Sequence, residues 1–216
     1  MRIAVATYST RRFESVRKLT APNKRAYCSR HGYGFRENPP TDKDATASFD
    51  RYEFYLALLA SDQFDWLYCL DADAIVTNFN RRIEDIIKPD DTLIFPMDAV
   101  ALQTGGFLAR DCLATKFLFR MMVLSRDKHQ TDQRSLSKFS SWMGPIIRRA
   151  PQREFGSYDY GYYRGLDFVS PNYVAGKDFE GNDGQWQPGD FIFHAPGMPI
   201  PKKVEALKRF LDQVQK

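Results

Sequence analysis

The chain opens with an apolar run, residues 2–8 (RIAVATY), whose continuous hydrophobicity predicts a buried first strand. Ser9 and Thr10 follow as candidate caps for a helix. That helix runs through Val16 and Leu19 to Tyr27, and Pro22 inside it marks a break or restart. Gly32, Tyr33 and Gly34 end it and lead into a short strand near Phe35. The polar stretch 37–48 (ENPPTDKDATAS) is a loop by composition. Phe49, Tyr52, Leu56 and Leu59 then recur at helical spacing, and residues 65–70 form a buried strand. The order strand, helix, strand, helix, strand predicts a three-layer α/β sandwich around a mainly parallel sheet.

The second half is less regular. Residues 92–95 and 106–109 read as strands. Leu113, Phe117, Leu118, Met121 and Leu124 mark an amphipathic helix, and Thr131 begins another. From 155 to 189 the chain is rich in Gly, Tyr and Asn, which predicts loops that shape a surface. Residues 191–193 make a short buried strand. Val204, Leu207, Phe210, Leu211 and Val214 predict a final helix packed on the core. Nothing along the chain looks like a linker, so 216 residues are expected to form one domain.

Composition narrows the function classes. With 43% hydrophobic and 27% charged residues the chain is globular. Its net charge of +4 is spread out, without the dense basic face of a nucleic-acid binder, and suits a pocket for anionic small molecules. Three cysteines, Cys28, Cys69 and Cys112, are read as reduced, buried thiols, and no CxxC offers a metal site. No window is apolar enough for a membrane span, and the amino terminus is too short in apolar residues for a signal peptide, so a cytoplasmic location is expected.

Candidate chemistry centres on Asp71 and Asp73, in WLYCLDADAIVTNFN, where a strand should end. Ligands bind beyond the carboxyl ends of strands in open α/β sheets. Two carboxylates two residues apart in extended chain share one side, and a hard divalent cation prefers such oxygen ligands. The spacing alone decides little. Two Asp-x-Asp triplets occur in the chain, and Asp42 and Asp44 read as a solvated loop. Asp71 and Asp73 could likewise be a turn or a helix cap, but their apolar flanks argue against it. His194 follows an apolar strand. It reads as a structural residue or as a ligand that, joining carboxylates, suits Mn²⁺ better than Mg²⁺. His31 and His129, among polar neighbours, read as surface groups.

Several blocks in order resemble the GT-A class of nucleotide-sugar glycosyltransferases, and within it the retaining galactosyl- and xylosyltransferase family. NKRAYCSRHGYGF (23–35) is similar to that family's "NK..YA..HGY" segment, and WLYCLDADAIVTN to its DxD metal segment. LQTGGFLAR (102–110) is similar to "N.G.FL.R", TDQRSL (131–136) to "DEQ..L", and GDFIFHAPG (189–197) to "GD...HF.G". The resemblance implies a single GT-A (Rossmann-like) domain, with a nucleotide-binding part over about 1–100 and an acceptor and metal-closing part over about 101–216.

It further implies transfer of a hexose or deoxyhexose from a UDP-sugar to a glycan or glycoprotein, with retention and with Mn²⁺, or Mg²⁺ as the alternative. Asp73 and His194 would bind the metal, and Asp71 would share it or hold the ribose. Thr7 and Tyr8 would cradle uracil and ribose, and Arg51 would lie near the diphosphate. Asp132 would hold donor-sugar hydroxyls, and Gln133 would face the anomeric carbon. Gly105 and Gly106 would let the sugar approach the backbone, and Gly197 belongs with the nucleotide-sugar contacts. Gln133 is a poor nucleophile, which favours front-side attack over double displacement. The chain departs from the pattern where Gln103 or Thr104 replaces an Asn. It departs again where Ile200 stands in place of a lysine, with Lys202 and Lys203 just beyond. Lacking the membrane anchor and stem of Golgi members, it is expected to be of a soluble bacterial or large-DNA-virus type. Aromatics such as Trp142, Tyr158, Tyr160, Tyr162, Tyr163, Tyr173 and Trp186 could floor an acceptor site or simply pack. The alternatives are a sugar-phosphate nucleotidyltransferase, which normally carries a Gly-rich loop after the first strand, and a non-catalytic binding domain of the same fold.

Overall fold

A computed structural model of the chain describes residues 1–128, 131–164, 166 and 171–215. The first apolar run forms β1 (Ile3–Thr7), buried along its whole length. A 3-10 turn (Arg11–Phe13) leads into α1 (Glu14–His31), which stops at Gly32 with φ +73°, a left-handed cap that glycine adopts without strain. Then come β2 (Gly34–Glu37), α2 (Ala47–Leu59), β3 (Trp66–Leu70), β4 (Ala74–Val76), β5 (Leu93–Pro96) and β6 (Gly106–Arg110). Helices α3 (Leu113–Leu124) and α4 (Asp132–Met143) precede β7 (Ile147–Ala150). Three short helices follow, α5 (Gln152–Phe155), α6 (Tyr160–Tyr163) and α7 (Pro171–Ala175), then β8 (Ile192–His194) and α8 (Ile200–Leu211).

Six strands form one sheet in the order β2-β1-β3-β6-β5-β7. β1 runs parallel to β2 and β3, and β7 parallel to β5, while β6 is antiparallel to both of its neighbours. Both faces are buried, as the continuous hydrophobicity of β1 and β3 demands. Leu67, Cys69 and Phe107 point into one core with Tyr52, Tyr55 and Phe119. Trp66, Tyr68, Leu70 and Leu108 point into the other, with Tyr27 and Phe191. A third cluster joins the β4–β8 ribbon to α8, with Phe210 against Trp186 and Phe193. Among the described residues no helix is long and apolar enough to cross a membrane.

Three expectations change. α1 passes through Pro22 without a break, because residues on both sides of it are bonded to one segment: Thr20 Oγ1 donates to the Ala72 carbonyl (2.6 Å), and the Asn23 amide exchanges hydrogen bonds with Val76 (2.9 and 2.8 Å). β7 is absent from the hydrophobic pattern, since its centre is Arg148-Arg149. It is an edge strand, and Arg148 reaches out to Asp91 at 2.8 Å. The last helix ends at Leu211, so Val214 packs from outside it. Cys28 and Cys69 are buried free thiols as expected, whereas Cys112 is partly exposed. His31 stacks on Tyr33 and bonds the Phe79 carbonyl (2.7 Å), and His129 lies outside the described residues.

Candidate active site

Asp71 is the first residue beyond β3, and its N–H donates to the Gly105 carbonyl at 2.7 Å, tying the strand end to the start of β6. Asp73 immediately precedes β4. That strand pairs with β8 so that Ala74 lies opposite His194, and the Ala195 N–H donates to the Asp73 carbonyl at 3.1 Å. Ribbon register thus brings an imidazole from far along the chain onto both carboxylates. His194 Nε2 lies 3.2 Å from Asp73 Oδ1 and 3.7 Å from Asp71 Oδ2. One ligand atom from each of the three residues lies within 4.8 Å of the others. Asp73 and His194 are buried, while Asp71 is partly open to the cleft. α1 fixes the backbone between them through Thr20 and Asn23, and Lys24 Nζ donates to the Asp71 carbonyl (2.6 Å) and to Thr7 Oγ1 (3.2 Å).

Each carboxylate has a cationic partner. Arg51, buried on α2, donates to Asp71 Oδ1 through one nitrogen and to Asp132 Oδ2 through another. Lys203, buried on α8, donates to Asp73 Oδ2. Burial lifts the Asp71 carboxyl above its ordinary range, against the pull of Arg51. Burial acts on Asp73 in the same sense, but Lys203 and His194 outweigh it and hold that carboxyl well below the usual range. Burial also lowers Lys24, to about 8.

Gln103 orients the histidine. Its Nε2 lies 3.2 Å from His194 Nδ1, and its Oε1 is buried without a partner. The two ends of an amide are nearly isosteric, so its orientation is assigned from the hydrogen bonds it makes. Tyr158 gives its one proton to Asp98, so its oxygen accepts from Gln103, which fixes Nε2 toward Tyr158 and toward His194 Nδ1. The neutral His194 ring then carries its proton on Nε2, toward Asp73 Oδ1 at 3.2 Å, the position a ligated ion would take. Two carboxylates and one imidazole so arranged fit a divalent metal ion. Beyond Gln103 the network continues through Tyr158, whose hydroxyl donates to Asp98 Oδ2 (3.3 Å). Asp98 Oδ2 also accepts from Gln133 Nε2 (3.0 Å). A carboxylate only accepts, so this bond fixes the Gln133 amide with Oε1 as its uncommitted end.

Comparison with known proteins bears on the fold that carries this arrangement. Residues 5–94 match the galactosyl transferase GMA12/MNN10 family. No curated protein sequence matches the chain. Among solved structures, a glycosyltransferase involved in the glycosylation of the major capsid of PBCV-1 superposes with a TM-score of 0.72 at 14% identity, covering 97% of this chain and 100% of that one. The galactosyltransferase LgtC, in complex with donor and acceptor sugar analogs, gives 0.58 at 12% identity over 99% of this chain and 96% of its own. The glycosyltransferase GlyE of Streptococcus pneumoniae TIGR4 gives 0.58 at 12% identity, covering all of this chain and 66% of that one. The fold is the GT-A glycosyltransferase fold. Together with the match over 5–94, it indicates a glycosyltransferase.

In the GT-A cleft, of about 310 Å³, the walls are Tyr8, Ser9, Thr10, Arg12, Phe13, Arg51 and 71–73, with Pro196, Gly197 and Lys203 opposite. Gly197 holds φ +64° in the turn before α8. Asp44 of the polar loop also reaches this wall, whereas Asp42 pairs with Arg11 in solvent at 3.2 Å. Several expected contacts fall elsewhere. Thr7 is buried and turned to Lys24, so the strand end meets the cleft through Tyr8. A Cβ at Gly105 would sit 2.3 Å from His194 Cε1 and 2.9 Å from Asp71 Oδ2, so that bare position makes room for the acidic cluster itself, where a sugar contact was expected. A Cβ at Gly106 would meet the Phe155 carbonyl at 3.0 Å. Asp132 is buried, and both of its oxygens are hydrogen-bonded inside the protein. Its Oδ2 accepts from Arg51 and Tyr52, and its Oδ1 from the Gln133 N–H (2.9 Å). Tyr158, Tyr160, Tyr163 and Trp186 pack in the third core cluster with Tyr173 against them, and Trp142 lies on the α3–α4 surface beside Phe117. Tyr162 borders a separate cavity with Asp159 and Arg209. Lys24, Asp98 and Lys203 were missed as site residues. Lys24 carried a signal as the second residue of the NK pair, and Lys203 as one of two lysines just beyond the place of the missing one.

Proposed function

We propose that the protein moves a hexose or deoxyhexose from a UDP-sugar to a glycan or glycoprotein acceptor, with retention of configuration, at a divalent-metal site that favours Mn²⁺. The observation that carries this reading is the Asp71–Asp73–His194 cluster, which opens from the end of β3 into a cleft also bordered by Arg51 and Lys203. Carboxylates with an imidazole beside free space and two cations suit a metal together with a diphosphate, and suit an uncharged ligand poorly. Asp73 and His194 would hold the ion, and Asp71, with one oxygen on Arg51, would share it or take the ribose. When bound, the metal would supply Lewis-acid stabilisation of the departing diphosphate.

The chain's own residues supply the rest. Tyr8 offers a ring and a hydroxyl to the nucleoside. Arg51 keeps Asp71 ionised and aimed. Asp132, buried with both oxygens hydrogen-bonded inside the protein, acts through Arg51 and through the start of α4. Gln133 presents its uncommitted amide oxygen to the anomeric carbon, where a partial negative charge eases the positive charge of an oxocarbenium-like state. An amide is a poor nucleophile, so front-side attack by the acceptor is favoured. The first hundred residues supply the donor side and the remainder the acceptor and closing side.

Incubation with Mn²⁺ and a panel of UDP-sugars, followed by UDP release, tests the proposal. Release with one or more sugars, lost on chelation, is the expected result, and Gln133→Ala should slow it. UDP–Mn²⁺ binding without turnover of any sugar would favour the non-catalytic alternative. Unchanged turnover in Gln133→Ala would remove that residue from the mechanism.

A further inference from the structure

The carboxylate best placed to hold a metal already carries a protein cation. Lys203 Nζ donates to Asp73 Oδ2, both residues are buried, and on its other side the ammonium lies 5.1 Å from the centroid of the Phe13 ring. A buried ammonium requires a full counter-charge. Lys203 also sits in the first turn of α8, where the helix dipole favours acids and none is present. Its neighbour Lys202 takes the ordinary course, exposed and paired with Glu205 at 3.1 Å. The placement of Lys203 therefore answers to Asp73 and runs against the preference of its own helix. Around the cluster, the carboxylates of Asp71, Asp73 and Asp132 pair with Arg51 and Lys203, and the Lys24 ammonium lies on the Asp71 backbone carbonyl. Three charges of each sign balance with no metal included, so an added divalent ion leaves a positive excess in a buried place.

We infer that Lys203 is an internal counter-cation of the metal site: its ammonium stands on Asp73 in place of the ion, must leave for the ion to bind, and makes ion binding depend on a nucleoside diphosphate that restores the charge balance. This rests on the donor-site reading above. Lys203 borders the cleft next to the Pro196–Gly197 turn, so its side chain has open space to enter.

The test is Mn²⁺ binding, read from the free-ion signal in electron paramagnetic resonance, with and without UDP. The parent should bind Mn²⁺ alone weakly and at least about tenfold more tightly with UDP. Lys203→Met should bind Mn²⁺ alone at least about tenfold more tightly than the parent and depend less on UDP. Lys203→Arg and Lys202→Met should behave as the parent does. Lys203→Met strands Asp73 and could fail to fold, so a second measurement uses the unaltered protein. Amine acylation mapped by mass spectrometry should label Lys203 more slowly than Lys202, and millimolar Mn²⁺ should speed the labelling of Lys203. If parent and Lys203→Met bind Mn²⁺ alone equally, or if labelling ignores Mn²⁺, the counter-cation role is overturned while the donor site stands. If neither protein binds Mn²⁺ even with UDP, the donor-site reading falls as well.

Discussion

Replacing Arg51 by methionine removes the cation that Asp71 and Asp132 share. Arg51 and Asp132 are 6% and 4% exposed, so water cannot take over the lost contacts. At an effective dielectric of about 20, each ion contact is worth roughly 4 kcal/mol gross at 4 Å. Desolvation of the guanidinium offsets much of that, and the net cost of deleting one member of a buried pair is about 3–5 kcal/mol, because the partner is left charged. For a domain of this size each kcal/mol lowers Tm by about 2–4 °C, which puts the variant roughly 6–20 °C below the parent. Urea and thermal unfolding of the parent, Arg51→Met, Asp132→Asn and the double variant measure the effect. The sign of the coupling is the sharper criterion. Asp132→Asn should destabilise the parent yet partly rescue Arg51→Met, with a coupling of at least about 1.5 kcal/mol. A loss below about 1 kcal/mol in Arg51→Met, or simple additivity in the double variant, would refute the ion network as a structural centre.

Two further outcomes follow from the site's surroundings. Gln103→Met should unfold cooperatively but bind Mn²⁺ in the presence of UDP about ten to a hundred times more weakly, because the His194 ring loses the partner at Nδ1 that holds it in place; unchanged Mn²⁺ affinity would show that Gln103 does not position the ring. Lys24 is fully buried with its ammonium lowered from 10.5 to about 8. Below about pH 8 both folded and unfolded chains hold that proton. Between 8 and 10.5 only the unfolded chain does, so the parent gains stability as pH rises through this window. The stability of Lys24→Met relative to the parent should therefore fall by about 3 kcal/mol from pH 8 to 10.5, and urea titrations showing a constant gap would contradict the burial argument.

The parts legible in the sequence are those where local pattern and tertiary role coincide. β1, β3 and α3 follow from apolar runs and spacing, and Asp71 and Asp73 from their position at a strand end. What could not be read depends on register and on long side chains. Ribbon pairing of Ala74 with His194 completes the acidic cluster, yet Ala74–Val76 is too short to stand out as a strand. Lys203 sits among ordinary helix residues, and only its burial against Asp73 sets it apart from Lys202. Asp98 is one of many loop aspartates until Tyr158 and Gln133 are seen to converge on it. Pro22 misled because a local rule about helix breaking gave way to anchoring on both sides of the ring. Gly105 was read as clearance for a ligand, when the space beside it holds the His194 ring.

The central claim is that Asp71, Asp73 and His194 form a divalent-metal site serving a nucleoside diphosphate. Calorimetric titration of UDP into the parent, Asp73→Asn and His194→Ala, each with Mn²⁺ and again with EDTA, tests it most directly. The parent should bind UDP only with Mn²⁺ present, and each variant should bind at least about tenfold more weakly while still unfolding cooperatively. UDP binding by the parent that is indifferent to EDTA, or variants that match the parent with Mn²⁺, would contradict the assignment.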